Sequence, residues 1–226
     1  SIIRIGATPD VSNKCDNIEA NRNTLVVANT PITSLLIRYI KNIGDNVTCI
    51  GNGVSQVGND SCQSFIAGAF KTVSGNFGTV YAKQLFEGCN TVSANIGLRN
   101  LAPNGYMFYN TKRFADNETT AERGGRIEAL DLVSEVRGNN MKVTGVGSSS
   151  ILSSNDLGTG RIPAFVFEGN DVETTQVLNS AFSLDTSVSG VNSCKNNNFK
   201  GVSPTDVFTG IKQSFSAVEG NEWWDY

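Results

Sequence analysis

The side chains that could carry out chemistry in this chain are carboxylates, tyrosines, lysines and arginines, because the sequence contains no histidine. Without histidine, a Ser-His-Asp or Cys-His nucleophilic site and any His-ligated metal site are excluded. The sequence also lacks the glycine spacing of a phosphate-binding loop and the aspartate cluster that calcium needs. We therefore predict no metal site and no cofactor, and we expect carboxylate chemistry or lyase chemistry based on Tyr, Lys or Arg.

Three carboxylates are the candidates for acid–base catalysis, namely Glu135, Glu168 and Asp171. Hydrolysis of a glycosidic bond needs two carboxyl groups, about 5–5.5 Å apart for retention or about 6.5–9.5 Å apart for inversion. Stacked strands lie about 4.8 Å apart and alternate residues of one strand about 6.6 Å apart, so acids on one face can meet this demand. The roles of acid and base stay unassigned. The alternative is that Glu87, Glu168 and Glu219, each followed by a glycine, are solvated turn residues.

Aromatic side chains are candidates for binding a sugar, because pyranose rings present apolar C–H faces that pack on aromatic rings. These candidates are Tyr106, Tyr109, Trp223 and Trp224. The alternative for the tryptophan pair is that it caps the open end of a coil or packs between subunits.

Basic residues near the two tyrosines suggest a charged ligand. Arg113 and Arg126 could each pair with the carboxylate of a uronate or a sialate. The alternative is that they pair with Asp116, Glu118 and Glu122 in the same stretch of chain.

A recurring sequence motif indicates the elements that position these residues. The motif is an apolar residue, a variable residue, a Gly-Asn type turn and a new apolar residue. The anchors are Asn52, Asn76, Asn139, Asn170, Asn197 and Asn221. The gaps between them are 24, 63, 31, 27 and 24 residues, and the gap of 63 has room for two or three units, with Asn90 or Asn110 as anchors. A period of about 20–30 residues is typical of a solenoid. Gly and Asn tolerate the positive φ of a sharp turn, and asparagines at equivalent turns can form a hydrogen-bonded ladder.

The composition favours an all-β chain with many turns, with 23 glycines, 5 prolines and only 17% charged residues. The net charge of −3, without a run of basic residues, argues against nucleic acid as a partner. Apolar runs stop at about seven residues, so we expect no membrane insertion. The five cysteines form no C-x-x-C pair, and we expect buried thiols that act as small hydrophobic groups in a protein made in a reducing compartment.

Two regions are predicted along the chain. Residues 1–45 form an irregular N-terminal segment, and residues 46–226 form a parallel β-helix. Within the β-helix, residues from about 100 to 126 interrupt the repeat and are expected to leave the coil as an inserted loop. Such loops often carry the function of a repeat protein. The N-terminus, Ser-Ile-Ile-Arg, is expected to be an internal fragment boundary without a signal peptide.

The repeated motif resembles the sequences that form the right-handed parallel β-helix of bacteriophage tailspikes and tail fibres. The residues that carry the resemblance are Val-Arg-Gly-Asn-Asn-Met at 136–141, Phe-Glu-Gly-Asn-Asp-Val at 167–172 and Cys-Lys-Asn-Asn-Asn-Phe at 194–199. The resemblance covers residues 45–222 and implies a side-by-side homotrimer in the phage tail of the virion, made in the bacterial cytoplasm. It further implies that the partner is a host cell-surface polysaccharide, a capsule or an O-antigen.

The resemblance leaves the activity open, because one fold serves several functions. A tailspike of this kind either binds its polysaccharide or also cleaves it, as an endo-acting glycoside hydrolase or a lyase (a depolymerase). The alternatives are a non-catalytic trimeric adhesin or assembly module, and a secreted bacterial polysaccharide lyase acting outside the cell.

Overall fold

Short parallel β-strands make up the chain, and the structure is a computed structural model. It describes residues 3–5, 18–27, 35–39, 47–56, 60–128, 133–145, 150–154, 164–175, 181–183, 193–201, 215 and 217–224. These residues contain 25 strands, β1 to β25, and no helix. Accordingly, nothing in the described ranges forms a helix of the length and apolar character needed to cross a membrane.

The strands form three parallel sheets, which we call sheets A, B and C. Sheet A contains, in spatial order, β1 (Ile3–Ile5), β3 (Leu35–Tyr39), β6 (Cys62–Ala67), β9 (Ala82–Glu87), β12 (Tyr106–Tyr109), β15 (Arg123–Ile127), β18 (Leu152–Ser154) and β21 (Phe182–Ser183). Sheet B contains β4 (Thr48–Ile50), β7 (Thr72–Ser74), β10 (Thr91–Ser93), β13 (Arg113–Ala115), β16 (Val133–Arg137), β19 (Ala164–Glu168), β22 (Ser193–Lys195) and β24 (Ala217–Glu219). Sheet C contains β2 (Thr24–Val27), β5 (Gly53–Gln56), β8 (Phe77–Val80), β11 (Ile96–Asn100), β14 (Glu118–Ala121), β17 (Asn140–Val143), β20 (Asp171–Thr174), β23 (Asn198–Lys200) and β25 (Glu222–Trp224).

From β3 to β23 the chain visits sheets A, B and C in strict rotation, so three successive strands make one coil. Each coil is hydrogen-bonded to the coil before it and the coil after it, always in parallel. The predicted all-β class is confirmed, and the three stacked sheets are consistent with a parallel β-helix solenoid. The right-handed coil and the homotrimer stay predictions.

The core fills the inside of the coils with large apolar side chains that stack along the axis. In sheet A, two adjacent residues of each coil point inward, as Leu85 with Phe86 and Met107 with Phe108 do. The Phe108 ring stacks on Phe114 of sheet B, with their centroids 4.6 Å apart. The sheets are therefore fixed to each other by side-chain packing as well as by their own hydrogen bonds.

Nine asparagines of the described residues form a ladder along the turn between sheets B and C. Except in the last member, the side-chain Nδ2–H donates to the Oδ1 of the asparagine one coil further on, over 2.8–3.0 Å. Its members are Asn23, Asn52, Asn76, Asn95, Asn117, Asn139, Asn170, Asn197 and Asn221. The residue before each of them has a positive φ. The predicted ladder of turn asparagines is therefore present.

The prediction that Asn90 or Asn110 anchors the missing units is wrong. The long gap holds Asn95 and Asn117, which divide it into three steps of 19, 22 and 22 residues. Asn90 instead lies at the turn between sheets A and B, where its Nδ2 donates to the carbonyl of Ala69 over 3.0 Å. Asn110 follows β12 at that same turn.

Residues 100–126 do not leave the coil, contrary to the expected inserted loop. Phe108 of β12 is in register with Phe86 and with Gly125 in the neighbouring coils. Phe114 of β13 is likewise in register with residues of the coils on both sides. The charged residues of this stretch lie on the outside of the coils, which is why the stretch looks polar in sequence.

Strands that precede residue 45 pair with the rest of the solenoid. β2 is in register with β5 in sheet C, and β3 with β6 in sheet A. The remainder of the expected irregular segment 1–45 falls largely outside the described residues. In the part that is described, pairing does not change at residue 45.

Four cysteines lie in the core as free thiols, as the sequence predicts for small hydrophobic groups. Burial raises the pKa of Cys49, Cys62 and Cys194 to about 12 and raises the pKa of Cys89 as well. These thiols therefore stay protonated at neutral pH and are poor nucleophiles. Cys15 lies outside the described residues.

Candidate functional site

A pocket of about 540 Å³ opens on the outer face of sheet A. The strand register builds it from two rows of side chains that cross three successive coils. One row is Gln84, Tyr106 and Arg123, and the other row is Glu87, Tyr109 and Arg126. The volume is within the range of small-molecule and cofactor sites, about 300–1,000 Å³.

Two glycines between the arginines shape the third coil of the pocket. Where earlier coils place large apolar pairs, β15 has Gly124 and Gly125. A Cβ on Gly125 would lie 2.0 Å from the Phe108 ring, and a Cβ on Gly124 would lie 1.9 Å from the carbonyl oxygen of Ile151. Only glycine fits at either position, so the Arg-Gly-Gly-Arg sequence is required for this coil to stack with an arginine at each side.

Both arginines converge on one tyrosine. Arg123 and Arg126 each donate an Nη1–H to the Tyr106 hydroxyl oxygen, over 2.7 Å and 3.1 Å. Their guanidinium carbons lie 5.3 Å and 5.8 Å from the centre of the Tyr106 ring, within cation–π distance. Asn104 orients Arg123 further, because its Oδ1 accepts an Nη2–H over 2.6 Å. The pocket thus concentrates positive charge beside an aromatic ring.

Glu128 ties the second row together. One of its carboxylate oxygens accepts the Tyr109 hydroxyl hydrogen, and the other pairs with Nη2 of Arg126. Burial, followed by the hydrogen bond to Glu128, raises the pKa of Tyr109 to about 12. Tyr109 therefore remains a protonated donor at neutral pH and is not poised to act as the base of a lyase.

The predicted binding residues divide between two places in the fold. Tyr106, Tyr109 and Arg126 meet in the pocket, and the ion pair of Arg126 is with Glu128. Arg113 lies elsewhere, on the outer face of sheet B opposite Glu135.

The tryptophan pair belongs to β25, the final strand of sheet C. Trp223 is in register with Phe199 and packs against the core, whereas Trp224 is exposed and donates its Nε1–H to Oδ1 of Asn198. Neither ring lines the pocket.

Sequence reasoning missed Arg123 and Glu128. The spacing Arg-Gly-Gly-Arg-x-Glu around residues 123–128 could have indicated them, because two glycines in place of a core pair mark an unusual coil.

The predicted catalytic carboxylates lie away from the pocket. Glu135 on β16 and Glu168 on β19 are both on the outside of sheet B, and Arg137 lies between them. Its Nε is 3.7 Å from Oε2 of Glu135, and its Nη1 contacts Oε2 of Glu168. Asp171 begins β20 in sheet C, beyond the Asn170 turn. The structure thus links Glu135 to Glu168 through an arginine and puts Asp171 in a different sheet.

Glu168 is held in its ionised form. The Ser193 hydroxyl donates to its Oε1 over 2.6 Å, and this bond, assisted by Arg137 and Lys195, lowers the pKa of Glu168 below its ordinary value. A general acid needs a raised pKa. The environment of Glu168 therefore suits an anion that accepts hydrogen bonds, as a base or as part of a structural ion-pair row.

Replacing Ser193 with alanine is expected to raise the pKa of Glu168 toward its ordinary value. Because the folded pKa lies below the unfolded one, the ionised carboxylate stabilises the fold above the unfolded pKa, and this stabilisation is lost as the pH falls through the folded pKa. The Ser193→Ala variant should lose less stability on acidification. Side-chain carboxyl NMR titration measures the shift, with Ser93→Ala, on the same sheet, as the control. An unchanged pKa of Glu168 in Ser193→Ala would contradict the assignment.

In the described part of the chain, no three side chains of His, Cys, Asp or Glu are placed to hold a metal ion. No protein-family model, no curated protein and no solved structure matches the chain. The fold and the pocket alone therefore define its class: an all-β solenoid of three stacked parallel sheets with a tyrosine–arginine pocket on one outer face.

Proposed function

We propose that this protein binds a cell-surface polysaccharide in the sheet A pocket. The observation that supports this proposal is that two guanidinium groups converge on the Tyr106 hydroxyl on the outer face of sheet A. An aromatic ring offers a sugar an apolar face, and arginine and tyrosine supply hydrogen-bond donors around it. The amide of Gln84 and the tip of Asn104 add polar groups that can accept or donate.

A polymer suits this surface because the coils repeat along one axis. The pocket crosses three coils that are spaced about 4.8 Å apart, so a chain of sugars lying along the axis can contact successive coils. The backbone under the pocket is paired on both sides, and its core residues are buried. Binding therefore requires little ordering of the protein, which favours affinity.

Replacing Tyr106 with alanine should weaken glycan binding about tenfold, since the ring is lost and the two arginines lose the hydroxyl acceptor that they share. The measurement is titration calorimetry against a panel of capsular and O-antigen polysaccharides. Arg99→Gln, an exposed substitution on sheet C, is the matched control and should bind as the parent does. If the Tyr106→Ala variant and the parent protein bound with equal affinity, the pocket would not be the binding site.

The wider proposal is that the chain is a segment of a phage tailspike or tail fibre that recognises host capsule or O-antigen and assembles as a side-by-side homotrimer on the virion. It is supported by the repeated turn sequence and by the parallel coils, which that class of protein shares. Light scattering after size exclusion should give about three times the chain mass of 24.1 kDa. A monomer would contradict the tailspike proposal but would leave the proposed binding pocket unaffected.

Cleavage of the polysaccharide by Glu135, Glu168 and Asp171 stays a separate prediction. Release of reducing ends by the parent protein, lost in Glu168→Gln or Asp171→Asn while the fold is kept, would support it. Unchanged turnover in both variants would discard these residues. A parent protein that binds polysaccharide and releases nothing would indicate the non-catalytic adhesin or assembly module.

A further inference from the structure

We propose that the glycan carries a carboxylate, and that Glu128 occupies the position of this carboxylate when the pocket is empty. The proposal rests on the polysaccharide-binding function above and specifies the chemical class of the ligand. It also assigns Glu128 a role as an internal competitor that a ligand must displace.

Tyr109 and Arg126 already hold a carboxylate, that of Glu128. The two oxygens of Glu128 are shared between these two side chains, one oxygen for each. A hydroxyl and a guanidinium that hold one carboxylate in this way can hold another of the same shape. The local geometry is thus that of a carboxylate site, occupied by a residue of the protein itself.

The charged side chains around Tyr106 also favour an anionic ligand. Arg123, Arg126 and Lys83 line the pocket together with the acids Glu87 and Glu128. Glu87 accepts a hydrogen bond from the Ser64 hydroxyl, and Glu128 is paired with Arg126. Displacing Glu128 leaves two arginines and a tyrosine ring around one anionic group, which is an arrangement that favours an acidic sugar over a neutral one.

Exchanging the Glu128 carboxylate for that of a ligand costs little energy. The Arg126 and Glu128 side chains keep 28% and 18% of their surface exposed, and ion pairs in contact with water contribute little stability. The main chain of Glu128 is anchored separately, because its N–H donates to Oδ1 of Asn110 over 2.7 Å. The carboxylate can therefore move away while the backbone stays in place.

The test compares acidic oligosaccharides with their own carboxyl-reduced forms. Oligogalacturonate and oligosialic acid serve as the acidic probes, and each reduced form differs only in having CH₂OH in place of the carboxylate. For the acidic probes we expect Glu128→Gln to bind about threefold to tenfold more tightly, because the competing charge is gone while an oxygen acceptor remains for Tyr109. We expect Arg126→Gln to bind them at least about tenfold more weakly.

The reduced probes should bind more weakly than the acidic ones and should show no gain with Glu128→Gln. Arg99→Gln serves as the control for a lost positive charge outside the pocket. Weaker binding of both probe forms to Glu128→Gln would overturn the inference, since Glu128 would then contact the ligand directly. Equal binding of acidic and reduced probes to the parent would overturn it too, while leaving the proposed polysaccharide function standing. Failure of the parent to bind these probes or any polysaccharide of the panel would overturn that function and the inference with it.

Discussion

Replacing Asn139 with alanine lowers the free energy of unfolding by about 2–4 kcal/mol, because buried groups lose their partners. Oδ1 of Asn139 accepts hydrogen bonds from the main-chain N–H and the side chain of Asn117, each over 3.0 Å. Its Nδ2 donates to the carbonyl of Phe114 over 2.8 Å and to Oδ1 of Asn170 over 2.9 Å. Alanine supplies none of these groups, and the site is too enclosed for water to enter freely, since Asn139 is 1% exposed.

The neighbouring Asn140→Ala is the matched control. Asn140 is exposed at the start of β17, and its removal should change the free energy of unfolding by no more than about 0.5 kcal/mol. Urea unfolding followed by circular dichroism gives both values. A loss in Asn139→Ala no larger than that in Asn140→Ala would mean that the ladder does not stabilise the solenoid.

The Gly124→Ala substitution is expected to cost about 3 kcal/mol or more, at the upper end of overpacking penalties. The added Cβ would lie 1.9 Å from the Ile151 carbonyl oxygen, which is a main-chain atom of the next coil. That oxygen also accepts the main-chain N–H of Gly125 over 2.9 Å. Moving it away would break this bond and separate two coils beside the pocket, so we also expect weaker glycan binding.

Gly169→Ala is the comparison that measures the cost of replacing a glycine at a positive φ without a steric clash. Gly169 has a φ of +64°, and a Cβ there would meet nothing within 4 Å. Its expected cost is about 1–2 kcal/mol, the penalty for a left-handed backbone. Ala94 already occupies the equivalent turn position with a φ of 52°, which indicates that alanine is accommodated there. Equal midpoints of urea unfolding for the Gly124 and Gly169 variants would refute the clash.

The coil and its asparagine ladder could be predicted from sequence because Gly-Asn turns recur wherever glycine supplies the positive φ. The prediction failed at Asn23, Asn95 and Asn117, where the residue before the anchor is neither glycine nor asparagine. Ala94 and Asp116 precede Asn95 and Asn117, with φ values of 52° and 56°, so neither turn contains the Gly-Asn or Asn-Asn pair by which the other turns were recognised. Two hidden turns made these coils resemble an inserted loop.

Only part of the candidate site could be predicted, because residue types do not reveal which residues of successive coils are aligned. Tyr106, Tyr109 and Arg126 are recognisable by residue type, but the alignment of Tyr106 with Arg123 depends on the number of residues in each coil, and coil length varies. For Glu168 and Asp171, closeness in the sequence was taken as closeness in the fold. They are three residues apart in sequence, and the Asn170 turn sends them to different sheets.

The asparagine ladder also has two ends that differ in the hydrogen bonds lost when a coil is removed. Every amide points the same way, so each asparagine offers two donors to the coil that follows it, as Asn197 does to Asn221. Removing the coil of Asn221 leaves the main-chain N–H and one Nδ2–H of Asn197 without an acceptor. Removing the coil of Asn23 leaves one Nδ2–H of Asn52, which donates to the Ala20 carbonyl, and the Oδ1 of Asn52 without partners. A buried N–H without a hydrogen-bond acceptor is rarer in folded proteins than a buried carbonyl oxygen without a donor. Unravelling should therefore begin more easily from the Asn23 side, and mechanical pulling or limited proteolysis would reveal that polarity.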